Sequence, residues 1–337
     1  MSRKQRIPDP IGRFLGPMKT QLTDYVNENR ALGKDFKAEV KILRYFDRFT
    51  VADEYRQVGL TEDMYWRWER SNPKGIKLNT LGHRIKTIAG FALYLRRNDH
   101  RTFIPTSPKG VRYYRSFYVP HIFTLDELRR LIAACDSMTY SHAWLNAPVV
   151  FPVILRVLIG CGTRIGETLS MRMEDVDSER GIITILNGKG GKDRLIGVSE
   201  DVIHSIRELS KRIQPGKDSG LIFTMADGNP YTRDCCYRIF RKQLWRAGIP
   251  HGGKDKGPRL HDLRHTYATL SLRQLVNSGV RLQTALQYLS AQLGHHSPSV
   301  TERYVHLCPD LVPLLAETIE RIASRVIPME VEHEQEW

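Results

Sequence analysis

Leu293-Gly294-His295-His296-Ser297-Pro298-Ser299-Val300-Thr301-Glu302-Arg303-Tyr304 closes the last strongly patterned part of the chain. Leu282, Leu286, Leu289 and Leu293 recur at helical spacing ahead of it, and Gly294 reads as the residue that ends that helix. His295 then emerges just past a helix end. Ser297-Pro298 reads as N-cap and first position of a further helix over 298–307, on which Val300, Tyr304 and Leu307 share a stripe. On that stripe alone Tyr304 is a buried structural aromatic. The competing reading makes it a nucleophile, and the fragment by itself does not decide.

Further back, His261-Asp262-Leu263-Arg264-His265 opens a helix over 261–276. At roughly 100° per residue, Leu263, Tyr267 and Leu270 lie within about 60° of one another, which puts His261, Arg264, His265 and Ala268 on the opposite face. Three basic side chains on one short arc call for an anion facing them. A zinc site on His261 and His265 lacks the glutamate of H-E-x-x-H and a third ligand, and Arg264 beside it would repel the cation.

Gly160-Cys161-Gly162-Thr163-Arg164-Ile165-Gly166-Glu167 follows an apolar helix expected at 149–159. It fails the G-x-G-x-x-G pattern at Ile165, which counts against a dinucleotide loop. With Thr163 as N-cap, Arg164 falls in a first helical turn. A cation there makes sense when it and the free amides face a bound phosphate; the alternative is a solvent-facing arginine. Two β-rich runs, 182–186 and 194–198, flank Asn187-Gly188-Lys189-Gly190-Gly191-Lys192-Asp193, a glycine-rich hairpin. Lys189 at its tip is a compact cation able to reach a phosphate or donate a proton, although spacing does not separate it from Lys192.

Helical spacing recurs at 14–30, 37–57, 61–71 and 79–97, and after the hairpin at 200–212, 231–247, 261–276, 281–293, 298–307 and 310–325. Thr124-Leu125-Asp126-Glu127 is a capping-box pattern ahead of LRRLIAAC and marks the start of a second domain. Between the two lies NDHRTFIPTSPKGVRYYRSFYVPHI, with Pro105, Pro108, Gly110 and Pro120 and no helical stripe. Tyr113, Tyr114 and Arg115 in it alternate aromatic with basic character and are candidate DNA-backbone contacts, or else packing residues. The expected organisation is a helical domain at 1–100, a linker at 101–122, a mostly helical domain with one small antiparallel sheet at 123–325, and an acidic tail at 326–337.

The net charge of +14 is uneven: residues 1–120 hold 24 Lys and Arg against 12 Asp and Glu, and the remainder is nearly balanced. That excess draws polyanions, nucleic acid first. No apolar run is long enough for a membrane span, and the N-terminus lacks an apolar signal core. Five cysteines without C-x-x-C spacing point away from a disulfide framework and toward a reducing cytoplasm.

The order Arg164, Lys189, His261-x-x-Arg264, Leu293-Gly294-His295, Tyr304 resembles the tyrosine recombinase, or phage integrase, family over 124–307, with no departure at these positions. The resemblance implies a two-domain clamp around DNA, a helical core-type DNA-binding domain plus a catalytic domain. It implies that Arg164 and Arg264 hold the scissile phosphate and that Tyr304 attacks it to give a 3′-phosphotyrosine. Lys189 then protonates the leaving 5′-oxygen, His261 assists proton transfer at the nucleophile, His295 hydrogen-bonds the phosphate, and Glu167 orients its partners. Two guanidiniums stabilise the charge without metal, and the covalent link conserves bond energy without ATP, so no cofactor is expected.

The implied partners are double-stranded DNA at a specific site and a synaptic homotetramer on two duplexes; the sequence leaves open whether accessory DNA-bending or directionality proteins join them. The implied setting is integration or transposition of a mobile element. Alternatives are a catalytically silent DNA-binding regulator on the same scaffold, a type IB topoisomerase, and a metal-dependent phosphodiesterase that EDTA would stop.

Overall fold

The computed structural model describes residues 14–73, 75–105, 119–140, 145–188, 191–213, 220–253, 256–295, 297 and 299–308. The chain divides into two compact units between Val119 and Pro120.

Among its described residues the first unit is built of α1 (Lys19–Ala31), α2 (Lys37–Ala52), α3 (Glu62–Arg70) and α4 (Leu78–Leu95). The apolar spacing explains α2: Val40, Leu43, Phe46 and Thr50 are buried, three or four residues apart. Thr61 starts α3 by accepting the Met64 N–H at 3.2 Å. Trp68 is fully buried and meets Phe46 edge to face at 5.7 Å, with Leu22, Val26 and Phe91 completing the core. Residues 101–105, expected to begin the linker, pack on this unit instead. The Phe103 N–H donates to the Leu60 carbonyl at 2.8 Å, Thr102 is buried, and Phe103 and Ile104 lie against the core.

The second unit begins as the capping box predicts. Thr124 Oγ1 accepts the Glu127 N–H at 3.1 Å, and the Glu127 carboxylate accepts the Thr124 N–H at 2.9 Å, opening α5 (Leu125–Asp136). Next come α6 (Ala147–Cys161), apolar nearly all round and buried accordingly, and the short α7 (Ile165–Leu169). A three-stranded antiparallel sheet follows, with β1 (Val176–Asp177), β2 (Ile182–Ile185) and β3 (Arg194–Gly197) in that order. Its register pairs Ile183 with Ile196, and both are buried on one face. Two-residue β1 is too short to show a period in sequence.

Then run α8 (Glu200–Arg212), α9 (Arg233–Arg246), α10 (Leu260–Asn277), α11 (Leu282–Leu293) and α12 (Ser299–Glu302). The fold is mainly α with a small antiparallel sheet. The main core of this unit gathers around α6, and a smaller cluster joins α10 and α11 to Tyr304 and Cys308.

Two local expectations are corrected. Arg164 is the N-cap of α7, while the Thr163 hydroxyl pairs with that of Thr168 at 2.7 Å. The helix expected over 298–307 is the four-residue α12 followed by a 3-10 turn, Val305–Leu307. Bonds from Tyr304 N to the Thr301 carbonyl and from Leu307 N to the Tyr304 carbonyl reach back three residues rather than four.

No helix among the described residues is long and apolar enough to cross a membrane. Burial pushes the Cys135, Cys161 and Cys236 thiols up to about 12, so they behave as small apolar side chains. The helix expected at 310–325 and the acidic tail lie outside the described residues.

Candidate active site

The site is seated on two helix ends. α6 stops at Cys161 because Gly162 turns left-handed at φ 61°, and α11 stops at Leu293 because Gly294 does so at φ 64°. Side chains are excluded at both positions by more than the backbone. A Cβ on Gly162 would lie 2.2 Å from the Tyr267 ring, and one on Gly294 would lie 2.8 Å from Arg194 Cδ.

The carbonyls left over at these two ends converge on Arg264, which α10 carries in. Arg264 Nη1 donates to the Gly162 carbonyl at 2.7 Å and Nη2 to the Leu293 carbonyl at 2.6 Å. Helix C-termini carry partial negative charge, so the pair suits a cation. Arg264 is 2% exposed, and burial lowers its pKa to about 10, which leaves it charged at neutral pH.

Beside it, Glu167 gathers guanidiniums. Its carboxylate accepts from Arg164 Nη1 at 2.6 Å and the Arg164 backbone N–H at 3.0 Å, and from Arg194 at 2.8 and 3.2 Å. Arg264 Nη1 stands 4.0 Å away. Burial works to raise the Glu167 pKa, but the Arg194 bonds, the Arg164 amide and the two charges outweigh it and hold it at about 2. Arg194 is fixed in turn by donating Nε to the Gln292 carbonyl at 3.0 Å. Three guanidiniums around one carboxylate leave a surplus of positive charge in the cluster.

Tyr304 enters from the segment after α12. It is 2% exposed, and its hydroxyl lies 3.1 Å from His265 Nδ1. Burial raises the phenol pKa, while the charges of Arg264, Arg303 and Arg164 pull the other way. The His295 ring stacks nearly parallel to that of Tyr304, 6.2 Å between centroids, and its Nδ1 pairs with the Thr301 hydroxyl at 2.7 Å. His261 lies edge-on to His265 at 4.9 Å on the exposed end of the arc. The protein packed around its base, then the charges of Arg264 and Arg164, hold its pKa below the ordinary imidazole value.

Arg164, Glu167, His261, Arg264, His295 and Tyr304 therefore form one continuous cluster. Lys189, Tyr113, Tyr114 and Arg115 lie outside the described residues. Gly188 itself lies near the carboxylate: a Cβ there would come 3.8 Å from Glu167 Oε1. The basic arc on α10 is more closed than its spacing suggested, with His261 exposed at its end. Arg264, His265 and Ala268 are buried, and helix-end carbonyls take two of the guanidinium N–H groups. Among the described residues, no group of three His, Cys, Asp or Glu is placed to hold a metal around His261 and His265.

Two members of the cluster were missed by sequence reasoning. Arg194 opens β3 and gave no signal beyond strand pattern, since its role depends on Gly294 leaving room for it. His265 stood in the basic arc, but its i+4 relation to His261 drew attention to metal rather than to the tyrosine.

The profile of the phage integrase family matches residues 121–310, more than half of the chain. The chain belongs to the phage integrase family. This tyrosine-type site-specific recombinase is 26% identical over 314 residues to a Sinorhizobium fredii protein that carries the name integrase/recombinase y4rB, covering 91% of this chain and 98% of that one. It is 29% identical over 237 residues to the tyrosine recombinase XerC of Staphylococcus carnosus, covering 69% of this chain and 73% of that one. The recombinase also shares its fold with the XerH site-specific recombinase solved on a palindromic difH substrate, at TM-score 0.64 and 18% identity over 94% of this chain and 98% of that one.

Proposed function

We propose that this recombinase cuts and rejoins double-stranded DNA at a specific site with Tyr304 as nucleophile, without metal or ATP. The observation that carries the reading is a tyrosine hydroxyl beside a buried, charged guanidinium, Arg264, with Arg164 in the same cluster. Attack at phosphorus spreads negative charge over the nonbridging oxygens, and planar guanidiniums meet two of them at once. Tyr304 Oη bonds to the scissile phosphorus as the bond to the 5′-oxygen breaks, giving a 3′-phosphotyrosine and a free 5′-hydroxyl. Lys189 supplies the proton to that oxygen, and His295 hydrogen-bonds the phosphate. His261, at the exposed end of the arc, assists proton transfer. Glu167 orients Arg164 and Arg194 rather than moving protons, because a carboxylate held at about 2 stays ionised.

The basic first unit is the core-type DNA-binding domain in this reading. In the second unit α9 presents Arg238, Arg241 and Lys242 to one side, with Trp245 79% exposed among them. That cationic and aromatic face suits a phosphate backbone. Strand exchange requires a synaptic homotetramer on two duplexes, in the cytoplasm of the host of a mobile element, whether or not accessory DNA-bending or directionality proteins take part.

The test uses plasmids carrying two copies of the DNA that flanks the element, incubated with the recombinase in EDTA. Recombinant junctions are expected. Binding without junctions or nicks would leave a regulator, relaxation without exchange a topoisomerase, and loss of cleavage in EDTA a metal phosphodiesterase.

A further inference from the structure

Within the reading of Tyr304 as nucleophile, the hydroxyl proton needs a destination, and the group in hydrogen-bond contact with it is His265 rather than His261. His265 Nδ1 stands 3.1 Å from Tyr304 Oη with the rings 5.6 Å apart, both side chains buried. The direction of that bond is set by the imidazole tautomer: the phenol O–H donates when Nδ1 is the bare nitrogen and so the acceptor. A neutral imidazole with its proton on Nε2 presents Nδ1 as that acceptor.

We propose that His265 Nδ1 is the base that receives the Tyr304 proton during strand cleavage and returns it on rejoining. As Oη bonds to phosphorus, the phenol O–H electrons stay on oxygen and the proton moves to Nδ1, while the bond to the 5′-oxygen breaks and that oxygen takes a proton from Lys189. On rejoining, the 5′-hydroxyl attacks phosphorus, its proton leaves to Lys189, and His265 reprotonates the departing phenolate.

The electrostatics make this step depend on substrate. The groups facing His265 are His261 and Arg264 from its own helix, His295 from the end of α11, and Arg303 and Tyr304 from the last segment; Arg164 and Glu167 lie beyond Arg264. Burial first, then His261 and the two cations Arg303 and Arg264, hold the imidazole pKa down at about 3. Among these groups His265 is thus neutral and the phenol keeps its proton. A phosphodiester bound to the guanidiniums supplies the opposing charge, so the nitrogen becomes more basic when there is something to attack.

The experiment measures single-turnover covalent cleavage of a nicked site against pH for the wild type, His265→Asn and His265→Gln. Asn places an acceptor near Nδ1 that cannot hold a proton, so it preserves the contact and removes the base. Cleavage by His265→Asn should fall by about 100-fold or more at pH 7 and climb with pH toward the wild-type rate as the phenol ionises unaided. With sulfur in place of the scissile 5′-oxygen, a leaving group that departs without a proton, the defect should persist. A rate that is unchanged or raised, a loss that is flat with pH, or rescue by the sulfur substrate would overturn the proposal. DNA binding and thermal unfolding check that the variants are folded.

Should both variants unfold, the ¹⁵N shift of His265 Nδ1 in the intact protein decides. An unprotonated acceptor whose shift moves in Tyr304→Phe supports the proposal, and a protonated Nδ1 overturns it. Failure of the wild type to form any Tyr304 adduct would instead sink the nucleophile reading itself, a result separate from any behaviour of His265.

Discussion

Replacing Glu167 by Gln removes the single negative charge from a cluster that holds Arg164, Arg194 and Arg264. The shape is nearly kept, so the effect reads electrostatics rather than packing. Its size follows from the pKa of the carboxylate, held at about 2 against an ordinary 4.5. Every tenfold drop in proton affinity is worth about 1.4 kcal/mol, so the folded site favours the ionised form by about 3 kcal/mol. Losing one partner of a buried pair costs about 3 to 5 kcal/mol in general, which agrees.

The assay is native-state hydrogen exchange of α10 peptides in sub-denaturing urea, which reads the opening free energy of the second unit. Glu167→Gln should lower it by about 3 kcal/mol at pH 7. The sign with pH is fixed by the depressed pKa. The stabilisation is fully present above the unfolded value near 4.5 and is lost as pH falls through the folded value near 2, so wild type and variant converge over that window. Sulfate, a stand-in for phosphate, should restore part of the loss by taking the place of the carboxylate among the guanidiniums. A loss below about 1 kcal/mol at pH 7, or a gap that does not close on acidification, would show that the carboxylate charge does not hold the cluster together.

Gly162→Ala should destabilise the second unit by about 2 kcal/mol or more, since it combines a left-handed backbone with a Cβ 2.2 Å from the Tyr267 ring; thermal unfolding reads it. Arg164→Lys should reduce covalent cleavage by about 100-fold while leaving DNA affinity within a few-fold, because a point charge cannot make the planar two-point contact; a cleavage assay beside a binding titration separates the two.

Much of the fold was legible in the sequence wherever one local rule sufficed. The Thr124 capping box, the glycine stops at Gly162 and Gly294, and the hairpin between β2 and β3 each depend on a few adjacent residues. Family order then picked out Arg164, Glu167, His261, Arg264, His295 and Tyr304, which the fold brings into one cluster. What stayed hidden lay in distant contacts. The period of α10 showed an arc of basic side chains, but not that the C-terminal carbonyls of α6 and α11 would bury Arg264 in it. Arg194 needed the space left by Gly294, far along the chain. His265 needed the Tyr304 hydroxyl, and the tyrosine needed the three-residue turn that replaces the expected helix. Residues 101–105 read as linker from their proline, yet Phe103 pairs with Leu60 and packs down.

The most direct test of Tyr304 as nucleophile is incubation of the recombinase in EDTA with a duplex of its own site, nicked next to the scissile bond so that the freed strand end diffuses away. A denaturing gel followed by peptide mapping reads the product. A covalent DNA adduct is expected on the peptide containing Tyr304, formed without metal and absent in Tyr304→Phe, which still binds the duplex. DNA that is bound at its site yet forms no adduct, or an adduct on another residue, would contradict a nucleophilic Tyr304.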